Sequence, residues 1–141
     1  SVNKDGGISH FTSLGNDTAH IILRGGKDGP NYSSEHVELT CEKLKQKGLV
    51  SRVMVDFSHA NSEKQFKNQL KVGKHIATQI EEGSDSVFGV MIESHLNEGN
   101  QKVGPLSSLQ YGVSITDSCI GWKDTEELLR DLAQSVRKRN S

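Results

Sequence analysis

The sequence has no dominant charge, few cysteines and no long apolar run, and each absence removes a class of function. Charged residues make up 25% of the 141 positions, and the formal net charge is −1. Proteins that grip nucleic acid usually present a basic face, so none is expected here. The longest apolar stretches run to four or five residues, far short of the roughly 20 that a helix needs to cross a bilayer. Cys41 and Cys119 stand 78 positions apart and belong to no CxxC pair. That argues against a disulfide framework or a zinc knuckle. No secretory signal is visible at Ser1-Val2-Asn3-Lys4, where the chain starts without Met. A reducing, cytoplasmic setting is the expectation, for a chain long enough to bury the core of one modest domain.

What is there is an alternation of short apolar runs and helical patterns. Residues 1–19 are polar and Gly-rich, with a weak alternation at Ile8, Phe11 and Leu14 that suggests a strand end or hairpin. His20-Ile21-Ile22-Leu23 reads as a buried strand stopped by Arg24-Gly25-Gly26. Ser33 or Ser34 can cap a helix with Val37, Cys41 and Leu44 on its inner face, ending at Gly48. A second strand runs from Arg52 to Phe57. Asn61 or Ser62 is the expected cap of the next helix, whose buried stripe is Phe66, Leu70, Gly73, Ala77 and Ile80. The third strand, Ser86 to Glu93, is apolar without alternation and predicts cover on both faces, as in a parallel sheet. Asn97 to Gly112 is a long polar loop, of the kind that is usually functional or mobile. Asp124 with Glu127 predicts a capping box for a last helix with Leu128, Leu129, Leu132, Ala133 and Val136 on its apolar face, and Trp122 packed beneath it. The order predicts a parallel α/β fold. A closed (β/α)8 barrel takes about 250 residues, so the chain is either part of a barrel or a small open sheet.

Parallel α/β folds carry their chemistry at the C-terminal ends of the strands. Three such ends, or the loops after them, hold polar groups that stand out. Asp56-Phe57-Ser58-His59-Ala60-Asn61 closes the second strand, Glu93-Ser94-His95 closes the third, and Asp117 follows. His59, Glu93 and Asp117 make a nitrogen and oxygen donor set suited to a divalent transition metal. Bland roles are open to each: His59 as a helix cap, Glu93 as a lysine's partner, Asp117 as a turn former. His95 and Cys119 lie two residues beyond Glu93 and Asp117 and compete as ligands. Arg24 with Gly25-Gly26 could hold a phosphate through a guanidinium fork and approachable backbone N–H groups, or could equally form a surface ion pair. Lys4 is a further candidate anion-binding cation.

Taken together, Ile21-Ile22-Leu23-Arg24-Gly25-Gly26, Asp56 to Asn61, Gly89 to Leu96 with Glu98-Gly99-Asn100-Gln101, and Ser114 to Trp122 resemble the type I 3-deoxy-D-arabino-heptulosonate 7-phosphate (DAHP) synthases. The motifs occur in the same order over nearly the whole chain. The resemblance implies the C-terminal part of a TIM barrel, about strands 6–8 with their helices plus the end of strand 5, so that residues 1–141 are one segment of a single domain. It implies the first step of the shikimate pathway to the aromatic amino acids: phosphoenolpyruvate, erythrose 4-phosphate and water give DAHP and phosphate. By motif, His59, Glu93 and Asp117 match three metal ligands, with the metal Mn, Fe, Co or Zn, and His95 and Cys119 become neighbours. Arg24 matches an arginine that binds phosphoenolpyruvate, and Lys4 falls where the family has a lysine near the site. An aromatic amino acid as feedback inhibitor and a homo-oligomer are further implications.

The resemblance stops short of a whole active site. The family's fourth ligand is a cysteine on an early strand, and its lysine-proline-arginine-threonine motif helps to bind erythrose 4-phosphate. Neither motif occurs in these 141 residues. Two rivals follow: a non-catalytic α/β fragment that binds anions or a partner chain, and a related synthase of the 3-deoxy-manno-octulosonate 8-phosphate type.

Overall fold

A computed structural model describes residues 1–141. Three strands, β1 (Ile21–Leu23), β2 (Val53–Asp56) and β3 (Val87–Met91), form one sheet in the order β1-β2-β3. All pairings are parallel: Leu23 lies opposite Val55, and Val55 opposite Val90. The crossovers are helices α1 (Ser34–Gln46) and α2 (Asn68–Glu81), and α3 (Trp122–Arg139) closes the chain. This is a mixed α/β fold built on a parallel sheet. No helix is long and apolar enough to cross a membrane.

The helices all lie over one face of the sheet. Leu23, Val53, Val55 and Val87 share a buried cluster with Val37 and Cys41 of α1, Val72, Ile76 and Ile80 of α2, and Leu128 and Leu132 of α3. Gly73 is the contact point of α2 with α3. A Cβ there would lie 2.9 Å from the Phe57 ring and would collide with Leu128, so its lack of a side chain brings the two helices together. The opposite face is bare, which corrects the expectation of cover on both sides. Ile22 and Phe88 are 47% and 48% exposed, because no element of these 141 residues reaches that side.

Two helix starts also differ from expectation. Asn61 and Ser62 do not cap α2, which begins at Asn68. The Asn61 amide is committed elsewhere, donating to the carbonyls of Leu23 (3.0 Å) and Asp56 (2.7 Å). His59, Glu63 and Lys64 take positive φ (45°, 54° and 60°), so residues 58–67 form turns instead. Helix α3 begins at Trp122 with Gly121 as N-cap and no side-chain cap, so Asp124 falls inside its first turn. Trp122 is 56% exposed rather than packed beneath the helix. Helix α1 follows the reading: Ser33 Oγ accepts from His36 N, and the chain turns at Gly48 with φ 68°.

Outside these elements the chain is tied by bridges. Val2 pairs with Ile8 in a small antiparallel hairpin, while Phe11 and Leu14 stay exposed. The polar loop after β3 is pinned by pairing Gly99 with Cys119 and Asn100 with Ser114. Within it the Gln101 amide donates to the carbonyls of Gln110 and Val113 and accepts from Gln110 N.

Candidate metal centre and anion cleft

The C-terminal ends of β1, β2 and β3 open on one cleft of about 650 Å³. Its walls include Arg24 with Gly25-Gly26, His59, Lys64, Glu93 and Asp117. The cleft draws together residues separated by more than 90 positions in sequence, because parallel strands deliver their ends to the same side of the sheet.

Each ligand candidate reaches the cleft by a different route. His59 lies just after β2 with a left-handed φ of 45°. His59 Nδ1 lies 2.6 Å from Asp56 Oδ2, while Nε2 lies 3.8 Å from Glu93 Oε1. Glu93 lies past the end of β3, where β2 no longer supplies a partner. The fully buried Gln69 takes that place: its Oε1 accepts from Glu93 N (2.8 Å) and its Nε2 donates to Glu93 O (3.0 Å). Ser58 Oγ donates to Glu93 Oε2 at 2.7 Å. Asp117 arrives through a short parallel bridge of Ser94 with Ile120, closed by Ile120 N donating to Glu93 O and His95 N to Ile120 O.

The donor atoms of His59, Glu93 and Asp117 all lie within 4.8 Å of one another. Adjacent donors on one ion, each about 2.0–2.2 Å from it, stand roughly 3–3.6 Å apart. The three groups are therefore within about 1–2 Å of the spacing at which they would share a metal. Imidazole with two carboxylates fits the chemistry of Mn, Fe, Co or Zn.

The competing candidates separate cleanly. His95 is exposed and its Nδ1 accepts from Leu96 N, outside the ligand group. Cys119 is buried, its Sγ donates to Asp117 O, and burial pushes its thiol pKa up. Its sulfur does not belong to the ligand group.

Arg24 lines the cleft and takes part in no ion pair of this chain. Its carbonyl accepts from Ala60 N and Asn61 N, which locks the β1 exit against the β2 exit. Gly25 is required at that contact. With φ 74° it sits in the left-handed region, and a Cβ would lie 2.7 Å from Ala60 Cβ. Lys64 is a second cation on the cleft wall that the sequence reading did not single out. Its only signal in the sequence is position, five residues past His59 in a stretch whose pattern predicts helix but which forms a turn. Lys4 is exposed in the N-terminal hairpin and is not on the cleft wall; local turn bonds of Asn3, to Asp5 N and Gly7 N, hold its segment instead.

The sequence model of the DAHP synthetase I family matches residues 6–130. The phospho-2-dehydro-3-deoxyheptonate aldolase of Haemophilus influenzae is 50% identical over 139 residues, covering 99% of this chain and 38% of that protein. The Phe-sensitive aldolase of the same name from Escherichia coli K12 is 52% identical, with 99% and 39% covered. The solved structure of the aldolase from Francisella tularensis SCHU S4 superposes with a TM-score of 0.87 at 42% identity, over 100% of this chain and 41% of that one. The chain thus spans about two fifths of the length of the relatives that it matches.

Proposed function

The chain belongs to the DAHP synthetase I family, and from that premise we propose that it is the C-terminal part of a (β/α)8 barrel synthase, contributing about strands 6–8 with their helices and the end of strand 5 of a single domain. The bare sheet face supports this reading, since Ile22 and Phe88 lie where the interior of a closed barrel would be filled by the other strands. The reaction is the condensation of phosphoenolpyruvate with erythrose 4-phosphate and water, giving DAHP and phosphate at the entry to aromatic amino-acid synthesis in the cytoplasm.

The observation that carries the proposal is the shared cleft, with a metal-type donor set on one wall and Arg24 on another. His59 Nε2 and the carboxylates of Glu93 and Asp117 would hold the divalent ion. When bound, the metal supplies Lewis acidity toward the aldehyde oxygen of erythrose 4-phosphate. Arg24 offers phosphoenolpyruvate a fork of N–H donors, and Gly25-Gly26 lets backbone come close to the anion. Lys64 adds a second positive charge to the same cleft. Lys4 belongs to the set only if the hairpin at residues 1–9 is rearranged in the complete barrel. Relatives are named Phe-sensitive, tyrosine-inhibited and Trp-sensitive, which supports an aromatic amino acid as feedback inhibitor here; a homo-oligomer belongs to the same proposal.

The test is DAHP formation by the full-length protein carrying this segment. Chelation should abolish turnover and re-addition of Mn²⁺ should restore it, while Arg24→Ala should chiefly raise KM for phosphoenolpyruvate. Turnover that survives complete metal removal, or an unchanged KM and kcat in Arg24→Ala, would contradict the assignment.

A further inference from the structure

Asp56 is 3% exposed at the last position of β2 and is not a member of the ligand group. Both of its oxygens are used: Oδ1 accepts from Ser58 N at 2.8 Å, and Oδ2 lies 2.6 Å from His59 Nδ1. A carboxylate can only accept, so this contact puts the imidazole hydrogen on Nδ1. The lone pair is then on Nε2, the nitrogen that faces Glu93 Oε1 at 3.8 Å.

The backbone supports the same arrangement. A left-handed φ at a non-glycine residue costs of order 1–3 kcal/mol and persists only where its surroundings impose it. At His59 they do: its carbonyl accepts from Lys64 N (3.1 Å) and Ser62 Oγ (3.1 Å), while its ring is held by Asp56. The strain and the buried carboxylate both serve to aim one ring nitrogen into the cleft.

We propose that Asp56 is a positioning residue that fixes the His59 tautomer and so sets the affinity of the site for a divalent metal. The inference rests on the metal reading of the cleft. Asp56→Asn is the informative change because it keeps the shape and removes one acceptor. The remaining oxygen can satisfy Ser58 N, which leaves an NH₂ group facing His59 Nδ1. That nitrogen must then accept, the hydrogen moves to Nε2, and the lone pair is lost from the cleft.

The experiment uses the full-length protein carrying this segment and two readouts. Titration with Mn²⁺ alone should find an affinity about 10–100-fold weaker in Asp56→Asn, the range typical of an outer partner of a metal-bound histidine. In the unsubstituted protein loaded with Zn²⁺, ¹⁵N NMR of the His59 ring should show the hydrogen on Nδ1 and the metal on Nε2. Equal Mn²⁺ affinity in the folded variant would overturn the inference while leaving the metal site intact. So would a ring hydrogen on Nε2 in the unsubstituted protein, which decides the matter even where Asp56→Asn fails to fold. Failure of the unsubstituted protein to bind Mn²⁺ would instead refute the metal reading itself, and the inference with it.

Discussion

The two carboxylates offered to the candidate metal stand in opposite conditions. Glu93 is held at its backbone by the amide of the buried Gln69 and at its side chain by Ser58 Oγ. Asp117 is exposed, and no hydrogen bond holds its carboxylate. One ligand is fixed before any ion arrives, and the other is free to close on it. Leaving all of them loose would make binding order three separate strand ends at once. Here the segments after β2 and β3 present a hydrogen-bonded imidazole and carboxylate, and the last segment brings an exposed third group.

Catalysis offers the largest contrast. The 141-residue chain by itself should form no detectable DAHP, since only three ligands and few cations are present, whereas the full-length protein should turn over. Measurable turnover by the short chain would mean that the cleft is already a complete site.

In the full-length protein, Glu93→Ala should weaken Mn²⁺ binding by more than the 10–100-fold typical of outer partners, because it removes a ligand and not a support. Asp117→Ala should cost less, since its group is not preorganised. Calorimetric titration of both variants compares the two sides directly, and equal losses would erase the distinction drawn between them.

Phe57→Ala should destabilise the fold by about 3–5 kcal/mol, as expected for a fully buried aromatic ring; Phe57 is 0% exposed and touches the α2–α3 contact at Gly73. Gln69→Leu should cost about 1–3 kcal/mol, because the Glu93 N–H and carbonyl lose their side-chain partner. Unfolding in urea reads both. A Gln69→Leu protein of unchanged stability but weakened Mn²⁺ binding would show Gln69 acting on the ligand alone.

The smallest effect lies at the far end of α2. Glu81 accepts from Lys138 Nζ (3.1 Å) and Ser135 Oγ (3.0 Å), and these bonds, the lysine's first, hold its carboxyl below the usual range. A depressed folded pKa gives stability that is present above the unfolded value and is lost as pH falls through the folded one. Glu81→Gln should therefore flatten the acid side of the stability profile slightly and leave Mn²⁺ affinity unchanged.

Much of this was legible in the sequence, for physical reasons that differ by region. The three strands announce themselves as short apolar runs bounded by turn signals, and α1 because Val37 and Cys41 repeat at helical spacing on its buried face. Arg24, His59 and Glu93 could be picked out because each stands at or just past the end of an apolar run, whereas Asp117 stood out only within the stretch Ser114 to Trp122. The start of α2 was hidden: Asn61 looks like a cap, but its amide bonds to the Leu23 and Asp56 carbonyls across the strands. Gln69 and Asp56 carry no periodic signal, since a buried polar residue reads as an exposed one until its partner is seen. The bare sheet face was misread because apolar runs describe what a strand needs, not what a given length of chain supplies. Loop 97–112 has no period because side chain–backbone bonds, those of Gln101 among them, hold it.

Joint binding of one divalent ion by His59, Glu93 and Asp117 can be read by calorimetric titration of Mn²⁺ into the full-length protein and into His59→Ala, Glu93→Ala and Asp117→Ala. One equivalent is expected in the unsubstituted protein, with weaker binding in every variant. An undiminished single equivalent in any of the three would remove that residue from the site and refute a shared metal.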